Sequence, residues 1–172
     1  MPAPYPEDPG PIGRTPRGAS VALVAMTPHA AAVLGMSLSV IDPWRRVGYT
    51  AESFISFLEA AEVDVARYEI VVDGQMAGAV VLCRHWLHGP YVRLIGLVPE
   101  AQGQGAGDVV MGWIEREAVG HYRNLWLCVS AFNAGARRFY EKRGFAMAAD
   151  LADLVFDGQT EILMRKRIGQ SL

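Results

Sequence analysis

The chain has 172 residues, 51% hydrophobic and 20% charged, which is material for one globular core and not for a disordered segment. A formal net charge of −2, with no long run of one sign, excludes a surface that holds nucleic acid by bulk basic charge. Two cysteines, Cys83 and Cys128, lie in apolar runs, and His29, His85, His88 and His121 show no metal-ligand spacing. That pattern fits buried, reduced thiols in a cytoplasmic protein better than a disulfide framework.

Residues 1–18 hold six prolines and three glycines and are expected to form an irregular extension without a core of its own. The domain proper is then 19–172. Residues 19–41 carry no Asp, Glu, Lys or Arg and are long enough to cross a bilayer. Pro28 and His29 interrupt the middle of that run, and Thr27-Pro28 is a helix start. The reading is therefore a strand over 20–26 and a helix over 28–40, with Val33, Met36 and Val40 on its buried face. Asp42-Pro43-Trp44 ends that helix, and a loop carries Trp44, Arg45, Arg46 and Tyr49. Thr50 caps a second helix over 51–61, with Phe54, Phe57 and Leu58 on one stripe.

Strands over 67–72 and 75–83 flank Asp73-Gly74, a two-residue hairpin signal. Residues 85–90 turn the chain into a strand over 91–98. A glycine-rich loop follows, then a helix over 107–119 that turns Val109, Val110, Trp113 and Ile114 to the core. A strand over 124–130 leads to a helix over 133–143, stopped by Gly144. Two last strands, 145–156 and 160–167, lie either side of Asp157-Gly158.

The glycine-rich loop reads Gln102-Gly103-Gln104-Gly105-Ala106-Gly107. Glycines allow positive φ and close approach of a ligand to the backbone. Amide N–H groups that open a helix receive phosphate oxygens. The spacing fits neither G-x-x-x-x-G-K-[ST] nor G-x-G-x-x-G, and a plain strand-to-helix turn could use the same residues. It does resemble Q/R-x-x-G-x-G/A, the signature of the GCN5-related N-acetyltransferases (GNAT family), as Gln102-x-x-Gly105-x-Gly107. Residues 125–145, LWLCVSAFNAGARRFYEKRGF, resemble that family's second signature, an apolar strand followed by N-x-x-A-x-x-F-Y-x-x-x-G-F. Asn133, Ala136, Phe139, Tyr140, Gly144 and Phe145 fall in place, and the two motifs stand in the family's order and separation.

The resemblance implies an α/β (α+β) fold: a mixed, mostly antiparallel sheet of about seven strands with helices on both faces. Its fourth and fifth strands, 91–98 and 124–130, would splay apart around acetyl-CoA. An N-acetyltransferase is implied, in which a primary amine attacks the thioester directly and no enzyme residue is acylated. Ile95, Gly96 and Leu97 would offer backbone groups to the pantetheine arm, with the Leu97 N–H as donor to the thioester oxygen. Gln102, Gly103, Gln104, Gly105, Ala106, Gly107 and Asp108 would surround the pyrophosphate, or Asp108 would instead sit on the outer side of the helix as a dipole partner. Asn133 would cap its helix and touch the cofactor arm. Tyr140 would be the acid, because a phenol of pKa ~10 can donate to a thiolate of pKa ~8.5. A packed aromatic is the plainer reading of Tyr140.

On the acceptor side, many relatives place an acid where this chain has Tyr91, Arg93 or Cys128. Tyr91 and Arg93 are expected to share one face of their strand. Arg93 either pairs with a surface acid or points into the cleft and grips a carboxylate, with His85 or His88 taking the proton through water. The second choice implies a small acceptor carrying an amine and an anionic group. Pro43-Trp44 and Leu125-Trp126-Leu127 partly resemble the ribosomal-protein N-terminal alanine acetyltransferases, which leaves a peptide N-terminus, with Trp44 beside it, as another acceptor. The alternative from a different class is a catalytically inactive acyl-CoA-binding sensor or interaction module. No metal, nucleic acid or membrane partner is expected, and a monomer or homodimer is.

Overall fold

Residues 4–169 are described by the structure, a computed structural model. The chain runs β1 (Gly10–Arg14), β2 (Ser20–Ala25), α1 (Pro28–Ser39), α2 (Trp44–Val47), α3 (Ala51–Glu59), β3 (Val65–Val72), β4 (Gln75–Trp86) and β5 (Gly89–Leu97). A 3-10 turn (Pro99–Ala101) leads to α4 (Ala106–Ala118), β6 (Asn124–Ser130), α5 (Ala134–Lys142), β7 (Ala146–Ala152) and β8 (Thr160–Arg167). The eight strands form one sheet in the order β1-β2-β3-β4-β5-β6-β8-β7. Every neighbouring pair is antiparallel except β5 and β6.

Two cores cover the two faces, which is why β4 reads as an unbroken apolar run rather than an alternating one. Val80 and Leu82 point to the core under α4 and α5, with Val110, Met111 and Ile114. Ala79 and Val81 point the other way, to Leu34 and Leu38 of α1 and Phe54 and Leu58 of α3. The helix starts are chemical. Thr27 accepts from the Ala30 N–H, Thr50 and Ser53 form a reciprocal capping box, and Asn133 accepts from the Ala136 N–H. Asp73 (φ 47°) and Gly74 (φ 77°) make the tight hairpin that their sequence announces.

Four expectations are corrected. The segment 1–18 is not wholly irregular. Residues 10–14 form β1, paired with β2, and Tyr5 is buried, donating its hydroxyl to the Ile114 carbonyl at 3.0 Å. Proline argues against a central strand but is tolerated at a sheet edge, where a missing N–H faces solvent. This edge strand is the one beyond the seven expected. On α1 the face is different: Ala30, Ala31, Leu34 and Leu38 are buried, while Met36 and Val40 are more than half exposed. The helix is apolar all round, so periodicity could not choose a face. Small residues chose it, since a Cβ on Gly35 would stand 2.5 Å from Ile55 Cγ1 of α3. The loop at Trp44 contains the short helix α2, and the last hairpin is shorter, with 153–159 as a loop. The apolar run 19–41 becomes β2 and α1, and among the described residues no helix is long and apolar enough to cross a membrane. Cys83 and Cys128 are free and half-buried.

Candidate active site

The sheet opens at one seam. β5 and β6 pair only at Tyr91↔Trp126 and Val92↔Leu127, although β5 continues to Leu97 and β6 to Ser130. The cause is a bulge. Val81 pairs with Leu94 and Leu82 with Val92, so Arg93 is the extra residue on β5. A bulge bends its strand and breaks the local alternation. Beyond it β5 follows β4 and leaves β6. Tyr91, Arg93 and Leu94 turn to the α1–α3 face, and Ile95 and Leu97 pack on the other.

Backbone polarity at the seam follows from the same register. The Val98 N–H donates to the Ala77 carbonyl at 2.9 Å, so the neighbouring Leu97 N–H points away from β4, into the opening. The Leu97 carbonyl shares that side and accepts from Gln102 Nε2 at 2.9 Å. Gln102 thus ties the glycine loop to β5. Gly96 is required by packing, because a Cβ there would stand 2.7 Å from Trp44 Cη2.

At the mouth, Gly103 (φ 70°) faces open space, and Gly105 (φ 91°) is the N-cap of α4 without a side-chain cap. The amides of Ala106, Gly107 and Asp108 that open α4 therefore have no helical partner. A Cβ on Gly105 would meet Pro16 Cδ at 2.7 Å, in the turn between β1 and β2. Gly107 has room for a Cβ, with Phe139 Cζ at 3.8 Å and Leu97 Cδ1 at 3.9 Å. Asp108 leans outward and pairs with Arg143 Nη1 at 2.8 Å, and Arg143 Nε contacts Glu115 at 3.2 Å. Its charge is answered locally.

A cavity of about 340 Å³ follows the seam through the sheet. Asn133, Ala136 and Tyr140 line it from α5, and Trp44, Phe54 and Phe57 line it from α2 and α3. Ile95, Tyr91, Arg93 and Cys128 lie between them. Tyr140 packs edge-on against Phe139 and Phe145, and burial pushes its phenol well above the ordinary value. Burial likewise raises Tyr91, whose neighbour is the Cys128 thiol, and raises that thiol too.

Two acceptor-side residues, His85 and His88, lie away from where they were expected. His85 and His88 are not in the cavity. They sit at the far turn of β4 and β5 with Trp86 and His121, and His85 faces Asp64 at 3.2 Å. Arg93 lines the cavity, but its guanidinium is ion-paired with Glu62 and lies 4.9 Å over the Phe57 ring. This is the first of the two expectations for Arg93, a pairing with a surface acid, and Arg67 shares the same Glu62 carboxylate.

One residue escapes sequence reasoning. Glu161, in β8, lines the cavity, pairs across the sheet with Ser130 and accepts from the Ser130 hydroxyl at 2.7 Å. Burial pushes its carboxyl above the usual range, and the Ser130 hydrogen bond offsets part of that. No local motif marks Glu161. Only the register of β6 on β8 brings it to the site, from a strand that carries neither signature.

The sheet is thus split between two parallel strands, with an uncapped glycine-rich helix start beside the split. Residues 36–145 match the model of the acetyltransferase (GNAT) family, and the chain belongs to that family. Acetyl-CoA is the co-substrate general to it. Similar solved structures include a putative GNAT-family acetyltransferase from Desulfovibrio desulfuricans, at 20% identity over 86% of this chain and 99% of that one, TM-score 0.67. Nourseothricin acetyltransferase is 28% identical over 62% of this chain and 66% of its own, TM-score 0.56. The ribosomal-protein-S18-alanine N-acetyltransferase from Escherichia coli is 20% identical over 90% and 96%, TM-score 0.63. No curated protein matches the sequence.

Proposed function

We propose that this chain is an acetyl-CoA-dependent N-acetyltransferase that moves the acetyl group to a primary amine, on a small molecule or a peptide, by direct attack on the thioester. The observation that carries it is the seam between β5 and β6, where an aromatic cleft reaches from α2 and α3 to Tyr140 of α5 and the glycine loop is tied to β5 through Gln102. Two substrates can then meet in line from opposite faces. Acetyl-CoA supplies an activated acyl thioester. The amides of Gly103 to Asp108 hold its phosphates at the start of α4, and Ile95, Gly96 and Leu97 run beside its arm. The Leu97 N–H, unused by the sheet, donates to the thioester oxygen as charge develops there. Tyr140 donates to the departing sulfur. Most of the acceleration comes from alignment, since no covalent enzyme intermediate is formed. Its two free thiols fit a reducing cytoplasm.

The test is release of CoA thiol from acetyl-CoA in the presence of a panel of primary amines, with the N-acetyl product identified by mass. Turnover with at least one amine is expected. Tight acetyl-CoA binding without acetylation of any amine would contradict catalysis, and no binding would contradict the site.

A further inference from the structure

We propose that Glu161 receives the ammonium group of the acceptor and takes its proton, so that the preferred acceptor is a cationic amine with an apolar body and no carboxylate. The inference rests on the acetyltransferase reading and names its acceptor. Glu161 lies on the α1–α3 side of the seam, opposite the α5 side that carries Tyr140. Its Oε1 is held by Ser130, and its contacts include no cation among the described residues. A half-buried carboxylate without a counter-ion gains most from a cationic ligand, because burial weakens its hydration and strengthens its Coulomb attraction. The cation that lines the same cavity, Arg93, is paired with Glu62, a carboxylate it shares with Arg67.

The walls favour the same partner. Tyr49, Phe54, Phe57 and Tyr91 surround the space with aromatic faces, which attract an ammonium and pack against an apolar body. Leu154 and Val155, from the exposed 153–159 loop, complete the rim, and Phe156 of that loop packs edge-on against Tyr49 at 5.8 Å. An acceptor carboxylate would meet Glu161 and these faces, while the cation that lines the cavity, Arg93, is held by Glu62 and the Phe57 ring.

The step balances as follows. The ammonium loses one proton to the Glu161 carboxylate and becomes a free amine. Its nitrogen lone pair forms the C–N bond, and the C–S bond breaks toward sulfur. The second nitrogen proton is matched by the proton that the thiolate takes through Tyr140, and Glu161 returns its own proton to water. The other groups that face Glu161 are Tyr49 from the α2–α3 loop, Tyr91 on β5 and Cys128 on β6. Burial raises all three, so they stay protonated at neutral pH, and Glu161 is the group of this cluster that ionises at lower pH than the others.

A matched pair of acceptors tests this: phenethylamine, and phenylalanine, which has the same body plus a carboxylate. The expected result is kcat/KM for phenethylamine at least about tenfold above phenylalanine. Glu161→Gln keeps the size and the Ser130 contact. It should lower kcat/KM for phenethylamine about a hundredfold, abolish the acid limb of its pH profile, and leave acetyl-CoA affinity by calorimetry unchanged. Equal or better use of phenylalanine, no turnover of phenethylamine by wild type, or an unaltered rate and pH profile in Glu161→Gln would each overturn the proposal while acetyl-CoA binding persists. Failure of the wild type to bind acetyl-CoA would overturn the acetyltransferase reading beneath it.

Discussion

Burial keeps the Tyr140 phenol protonated far into the alkaline range, because a phenolate in that apolar setting would lose its hydration. A phenol so raised is a persistent hydrogen-bond donor and a reluctant acid. Its work at a departing thiolate is then to stabilise charge as the C–S bond lengthens, with full proton transfer completed late. Replacement Tyr140→Phe keeps the packing on Phe139 and Phe145 and removes the donor. We expect kcat to fall ~10²-fold with acetyl-CoA affinity little changed. Steady-state kinetics paired with calorimetry separates the two, and wild-type turnover in the variant would make Tyr140 a structural aromatic. Arg93 and Glu161 illustrate the same scale differently. Arg93 lines the cleft and pairs with Glu62, which Arg67 shares, whereas Glu161 brings to the same cleft a carboxylate that positions 91, 93 and 128 lack.

At the scale of elements, the start of α4 is the most exposed commitment. Gly105 is a poor place to probe it. Any side chain there is strained by φ 91° and strikes Pro16, so the β1–β2 turn would move along with the loop. Gly107 is better, because a Cβ fits. In Gly107→Glu a carboxylate in the first helical turn favours the helix by about 0.3–1 kcal/mol, yet it repels a pyrophosphate. The melting temperature should hold or rise while acetyl-CoA affinity drops by an order of magnitude or more. Unchanged affinity would remove the phosphates from this loop.

Elements with local chemistry were legible in advance: the caps at Thr27, Thr50 and Asn133, the Asp73-Gly74 hairpin, and the loop that opens α4. What was not legible depends on distant partners. β1 exists because β2 offers it an edge and because Tyr5 reaches the Ile114 carbonyl. The buried face of α1 was set by the close approach of α3 at Gly35. Glu161 enters the site through cross-strand pairing with Ser130, and the bulge at Arg93 appears only in the register of β4 on β5. Pattern within one segment carries none of these.

For the whole molecule, two cores flank one sheet, and the one under α4 and α5 buries Tyr5, Tyr68 and Tyr140. Tyr68 is pushed up to about 12, and burial raises Tyr5, Tyr91 and Tyr140 as well. Unfolded phenols ionise near pH ~10. Above that the unfolded chain binds fewer protons than the folded one, so unfolding becomes easier as pH rises; below it the contribution is complete and flat. Urea midpoints should therefore be level up to about pH 9 and decline by about pH 11. Tyr5→Phe should lower stability by about 1 kcal/mol through the lost hydrogen bond to Ile114 and flatten part of that decline. A midpoint that stays level through the same range would mean that the phenols are less buried than their packing indicates.

The central claim is that acetyl-CoA occupies the seam between β5 and β6, with its phosphates at α4 and its thioester at Leu97. Amide hydrogen exchange, with and without saturating acetyl-CoA, reads that directly. New protection is expected at Leu97 and across Gly103 to Asp108, with no change at the β4–β5 turn near His85 and His88. Protection at that turn, with Leu97 and the glycine loop unaltered, would contradict it.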